Sequence, residues 1–307
     1  MRNISVGKSG TFSGHRDCIY SLEAGGDNIF FSAAGDGLVV EWNLSEPDMG
    51  KLVAKVANSV YALHFLREKN RLLIGQNFEG LHLIDLNTKK EIISSKITNS
   101  AIFDIISYKD RIFAGTGEGV LYVQNVDDLS VLAKLKLSDK SLRTLAIDTE
   151  GNFLVAGFSD NFIKVIDLKS LKVIRSFEAH KNSVFSLKFS PDGKYLLSGS
   201  RDAHLNVWDV EGEYSPVNSI VAHMYAINHI AYNKNGTLFA TCSMDKAIKI
   251  WDATEFRLLK VIDKARHAGH GTSVNKLCWS APQDVLISCS DDRLISVWDL
   301  KIKEKIE

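Results

Sequence analysis

One interval constrains this chain more than any other feature. The segments ending at Trp208, Trp251 and Trp298 each close on Trp-Asp, and each carries a His 28 residues before its Trp. Followed backwards, the closing position falls at Trp42 (EWN), Ile84 (LIDL), Gln124 (VQNV) and Ile166 (VIDL). The successive steps are then 42, 40, 42, 42, 43 and 47 residues. Seven repeats fill the chain. Within each, apolar residues alternate with polar ones between turn signals such as Ser-Pro-Asp-Gly at 190–193 and Asn-Lys-Asn-Gly at 233–236. Alternation with period two bounded by such turns reads as short strands, and no segment reads as a helix.

Each repeat reads as four strands, an outer one before the His position and three more ending at the Trp. This phase leaves the last repeat without an outer strand after Leu300, and leaves a spare strand-like stretch, about residues 4–12, before Gly14-His15. The spare stretch is expected to complete the last repeat, closing the structure with both chain ends and removing an open edge. A length of 307 residues would suggest about two domains. The repeat period overrides that count and predicts one domain over 1–307.

The repeats resemble those of the WD40-repeat β-propeller family over the whole chain, most strongly in repeats one, five, six and seven. The resemblance implies an all-β, seven-bladed propeller of four-stranded antiparallel blades. It also implies a hydrogen-bonded tetrad in each strong repeat: His15, Ser32, Asp36 and Trp42; His180, Ser198, Asp202 and Trp208; His223, Thr241, Asp245 and Trp251; His270, Ser288, Asp292 and Trp298. The chemistry suits the spacing, because a buried Asp must be paired, His can donate to it, and a hydroxyl can link His to the indole N–H. Repeats two to four depart from the pattern. Phe78 and Glu118 stand at the Asp position of repeats two and three. Repeat four keeps Asp160 but has Ala156 and Ile166 in place of the hydroxyl and Trp. No His precedes any of the three, where Asn58, Asn99 and Asp139 lie nearby. These repeats are expected to rely on apolar packing and to form the less regular half of the ring.

His, Ser and Asp together invite a hydrolase reading, but four copies at one period argue for structure rather than one exposed nucleophile with an oxyanion hole. No catalytic residue, metal site or cofactor is expected. His267 and His270 form an H-x-x-H that no Cys or carboxylate completes, so His267 reads as a solvated loop residue. Gly-Thr-Gly-Glu-Gly at 115–119 lacks the Lys-Ser/Thr and following helix of a phosphate loop and reads as a tight turn between strands. The endings WDVE, WDAT and WDLK lack the Arg of the family's adaptor-docking form.

Lys plus Arg and Asp plus Glu number 37 each, so no overall field favours nucleic acid or an anionic membrane. The N-terminus MRNISVGKSGTFSGHRD does not read as a secretory signal, and nowhere do 18 apolar residues run together. Cys18, Cys242, Cys278 and Cys289 have no CxxC spacing. Cys242 and Cys289 hold the same place in neighbouring repeats, so pseudo-symmetry points them the same way. All four read as reduced thiols, and a cytoplasmic location is expected. The C-terminal KIKEKIE reads as a solvated tail.

By resemblance, partners contact the top face around the central channel. One recurrent contact position follows the apolar residue that opens each inner strand: Tyr20, Tyr61, Phe103, Arg143, Phe185, Asn228 and Asn275. A second precedes the turn Asp, adding Arg201, Met244 and Asp291. Four of the first seven are aromatic in a chain only 9% aromatic, the composition of an interaction hot spot. The competing reading packs these rings between blades. The expected function is that of a non-catalytic scaffold, monomeric on its own. It binds a peptide or protein segment at the top face, with Arg143 and Arg201 available to a carboxylate. The alternatives are a propeller enzyme or small-ligand binder using the channel, or a structural subunit docking by a side or bottom face.

Overall fold

The computed structural model describes residues 3–280 and 283–303. Seven antiparallel four-stranded sheets follow one another along the chain. Blade one consists of Ile19–Ala24, Ile29–Ala34, Leu38–Asn43 and Glu46–Lys55. Blades two to six repeat this order from Val60, Ile102, Leu142, Val184 and Ile227. Each inner strand touches the inner strands of the blades on either side, and that of blade seven, Val274–Trp279, touches that of blade one, so the ring is closed.

Closure uses both ends of the chain. Asn3–Phe12 pairs antiparallel with Ile295–Lys303, from Asn3 opposite Lys303 to Phe12 opposite Ile295. Phe12 then packs edge-on against Phe30 and Trp42 of blade one, which ties the clasp to the neighbouring blade. Residues 301–303 therefore belong to a strand rather than to a solvated tail. The remainder of that tail, 304–307, lies outside the described residues.

The core lies between blades, in seven apolar clusters, each drawn mainly from two adjacent sheets. One sets Phe31, Val39 and Val53 of blade one against Val60, Leu63, Leu72 and Ile84 of blade two. Close approach at these seams uses glycine. A Cβ on Gly75 would stand 2.9 Å from Ile102 and Ile105 of blade three, and one on Gly115 only 2.3 Å from Leu142 of blade four.

Two expectations are corrected. Blades two to four are as regular as the rest, with inner strands of six or seven residues and the same strand order. The most irregular pairing is in blade one, whose outer strand shifts register twice against its neighbour. The chain also contains helical turns, a 3-10 turn at Arg67–Lys69 and a short helix at Lys264–His267 capped by the Asp263 side chain. The second of these absorbs the extra residues of the longest repeat interval.

Candidate functional site

In the four strong repeats, imidazole Nδ1 faces the carboxylate at 2.9–3.2 Å, Nε2 meets the hydroxyl at 2.7–2.9 Å, and the indole N–H donates to that hydroxyl at 2.7–2.9 Å. Proton directions follow. Because an ionised carboxylate only accepts, Nδ1 carries the hydrogen given to the Asp, so Nε2 of the neutral imidazole accepts from the hydroxyl, which in turn accepts from the indole N–H. Each carboxylate also accepts backbone N–H groups, as Asp245 does from Met224 and Ala247. Burial holds His15 and His223 below the usual imidazole value, outweighing the pull of their Asp partners. For Asp245, burial pushes upward, but the bond from His223 and those from the N–H groups of Met224 and Ala247 win and hold the carboxyl at about 2. The His, hydroxyl and Trp side chains are buried, the carboxylates are half-buried, and all are mutually satisfied. The arrangement supports the top loops and exposes no nucleophile.

Blades three and four keep half of this device in a form that sequence reasoning missed. Thr98 donates to Glu118 at 2.6 Å, and Ser138 donates to Asp160. Both hydroxyls stand four residues before the residue opening the inner strand, where the strong repeats have His, so the spacing could have found them. Blade two has no such pair. Val56, Ile74, Phe78 and Ile84 occupy the four positions, and Phe78 is 57% exposed with φ of 64°.

The top-face positions share one backbone cause. In all seven blades the pairing of the inner strand shifts register at the residue after its opening one, leaving Tyr20, Tyr61, Phe103, Arg143, Phe185, Asn228 and Asn275 unpaired at a bulge. A bulge re-aims its side chain, and all seven residues line a central channel of about 1070 Å³. None of the four aromatic rings is buried between blades. Tyr20 and Tyr61 meet edge-on at 4.8 Å between centroids, and Tyr61 stacks on Phe103 at 5.8 Å, with planes 7° apart. The Arg143 guanidinium lies 4.0 Å from the Phe103 centroid and 5.5 Å from that of Phe185. The result is a continuous arc from blade one to blade five. Burial, reinforced by Cys18, raises the Tyr20 phenol above its ordinary value, so it stays neutral.

The remaining positions divide. Asn228 donates to Ser273 and to the carbonyl of Val274, while Asn275 donates to the carbonyl of Ile19 and to Asp291. The two amides fasten the seams of blades six, seven and one, and Asp291 is engaged by Asn275 within blade seven, which leaves all three little to offer a partner. Arg201 and Met244 are exposed, and beside Met244 stand Met224, 80% exposed, and Tyr225, 61% exposed. Sequence reasoning passed over those last two because they sit in the loop entering blade six rather than at a bulge.

Below the rim, polar side chains satisfy the backbone edge that the inner strand turns to its neighbour at five of the seven seams. Glu23 accepts from Phe65 N–H, Asp104 from Leu145, Thr144 from Leu187, Ser186 from Ile230, and His229 Nδ1 from Leu277. Every bond crosses a blade seam, and each quiets an open strand edge. His229 is held far below the usual imidazole value by burial, then by Lys276 and Lys188. The acidic groups of the channel are thus committed to structure. Among the described residues, no three His, Cys, Asp or Glu are grouped as a metal site would need. All four cysteines are free thiols.

A family model described as "WD domain, G-beta repeat" matches residues 7–43, 171–209, 214–252 and 263–299. These are the repeats that carry complete tetrads. No curated protein matches the chain significantly. Among solved structures, the chain is similar to the WD40 β-propeller domain of Doa1, with a TM-score of 0.85 over 98% of each chain and 19% identity. At that identity the likeness concerns the fold alone.

Proposed function

We propose that this chain, which is a seven-bladed WD40-repeat propeller, works as a non-catalytic platform that captures a segment of another protein at its top face. The observation that carries this reading is the uncovered aromatic arc. Tyr20, Tyr61, Phe103 and Phe185 are half-buried at the channel mouth, set at bulges and joined into one surface by ring contacts and the Arg143 guanidinium. Rigid aromatic side chains contribute contact area at little entropic cost and are enriched in interface hot spots. Phe78, Met224, Tyr225 and Met244 extend the apolar surface outward, each more than half exposed. The tetrads serve this function indirectly by holding the loops that frame the mouth.

The test is a pull-down from the source cell's lysate, wild type beside a variant with Tyr20, Tyr61, Phe103 and Phe185 changed to Ala. Circular dichroism and melting check that the variant folds. A partner held by the wild type and lost by the folded variant supports the reading, and a partner held by both removes it. One observation favours a second reading, docking by the side of the ring. Val131 and Leu132 on blade three and Val173 and Ile174 on blade four are exposed on neighbouring outer strands. Retention of the partner by the arc variant would move the site there.

A further inference from the structure

Building on that docking reading, we infer that the captured segment presents an acidic group, a carboxylate or a phosphate, to Arg143 at the channel mouth. Arg143 stands at the channel mouth, gripped by two aromatic rings and without a carboxylate partner among the described residues. Exposed cations such as Arg175, Arg257 and Arg266 have carboxylate partners at 2.6–2.9 Å, in settings where pairing contributes little. Arg143 is half-buried, where an unpaired charge is costly. Yet among the described residues no carboxylate lies within 4 Å of it, nor of Arg201.

The neighbouring acids are already engaged. Glu118 accepts from Thr98, Asp160 from Ser138 and Phe162 N–H, and Asp202 from His180 and the N–H groups of Lys181 and His204. Asp104 accepts the N–H groups of Ile105 and Leu145. None of these carboxylates is paired with this guanidinium.

The geometry around Arg143 is that of a fork held ready. Its Nε donates to Ser159 at 2.9 Å, and its plane is steadied by Phe103 and Phe185. Both Nη atoms remain without a partner among the described residues. A guanidinium fixed in this way can meet a carboxylate or phosphate through two parallel hydrogen bonds with little further ordering. Arg201, exposed on the next blade, adds a second cation whose like charge, after burial, lowers the basicity of Arg143. An incoming anion offsets the like charge and compensates the half-buried cation.

The experiment labels arginine with 15N and follows the Nε–H resonances, assigned from Arg143→Gln and Arg201→Gln. The bond to Ser159 slows exchange of the Arg143 Nε–H and makes it observable. Sodium phosphate and sodium acetate are titrated against sodium chloride at constant ionic strength. The Arg143 resonance should shift saturably with phosphate and acetate, and Arg201→Gln should weaken that binding at least threefold. A shift that is linear or equal to that of chloride overturns the inference. A second arm selects random peptides on the immobilised protein. Selected peptides should share an Asp or Glu at one position and lose at least tenfold in affinity with Arg143→Gln. Arg143→Lys should lose most of that as well, since it keeps charge but not the fork. A phosphoserine at that position binding tenfold tighter than Asp or Glu identifies phosphate as the group; equal or weaker binding identifies carboxylate. Peptides that bind the arc without any acidic position overturn the inference while leaving the docking reading standing.

Discussion

Blades five, six, seven and one hold their top loops with a buried His–hydroxyl–Trp–Asp network. Blades two to four have lost most or all of it, yet both halves build the same four-stranded sheets. The comparison separates two jobs. Blade shape comes from alternating apolar strands and from seam packing, as in the cluster joining Val53, Leu63, Leu72 and Ile84. The polar network fastens loops, and a single hydroxyl–carboxylate pair, Thr98 with Glu118 or Ser138 with Asp160, is a lighter form of the same fastening. The lighter half also supplies Tyr61, Phe103 and Arg143 of the arc and the projecting Phe78. The fastened half supplies Tyr20 and Phe185 of the arc and the exposed Met224, Tyr225 and Met244, so apolar surface at the top does not track the loss of fastening.

The largest effect should come from the anchor of the fastened half. Trp298 is fully buried and bonded to Ser288. Trp298→Ala should destabilise by about 3–5 kcal/mol, read as a lower urea midpoint. A loss below 1 kcal/mol would mean that the network adds little to packing.

The comparison sharpens when one carboxylate is removed from each half. Asp245→Ala strands His223 and the N–H groups of Met224 and Ala247, and should cost roughly 2–3 kcal/mol. Asp160→Ala strands only Ser138 and one N–H, and should cost about 1 kcal/mol. Equal losses would erase the distinction between the halves.

Acidification should act through the fastened half. His15 and His223 titrate below their ordinary value in the folded state, so the unfolded chain takes up protons first. Their stabilisation is complete above about pH 6.5 and is lost as pH falls below it. Asp245, held at about 2, adds stability that is present above about pH 4 and lost as pH falls towards 2. The melting temperature should therefore decline in two stages from neutral pH downward. A rise between pH 7 and 5 would contradict the assignment.

The smallest effect on stability should come from Phe78. It is mostly exposed, so Phe78→Ala should change stability by no more than about 0.5 kcal/mol while weakening capture of the partner. Loss of stability without loss of binding would make it a structural residue.

Much of this was legible in the sequence. The period located seven blades because every blade ends its third strand at the same place, and the surplus N-terminal strand followed from the phase. The regularity of blades two to four was not legible. A missing Trp or Asp suggests irregularity, whereas the continuous apolar runs LLIG, IFAG and LVAG, buried on both faces, are what form the sheet. The top-face positions could be placed by spacing, but their division could not. Asn228 and Asn275 look equivalent to Tyr20 in the repeat, yet their amides reach across seams, which depends on neighbours distant in sequence. The channel layer of Glu23, Asp104 and His229 has no common residue type to mark it.

The most direct test of the account measures the affinity of the captured partner, once purified, for two folded variants. One carries Tyr61→Ala with Phe103→Ala on the arc, and the other carries Val131→Lys with Ile174→Lys on the outer strands. The account predicts at least a hundredfold weaker binding for the arc variant and a change within about twofold for the outer one, the behaviour of a hot spot against a bystander surface. Full affinity in the arc variant, with binding lost in the outer one, would contradict it.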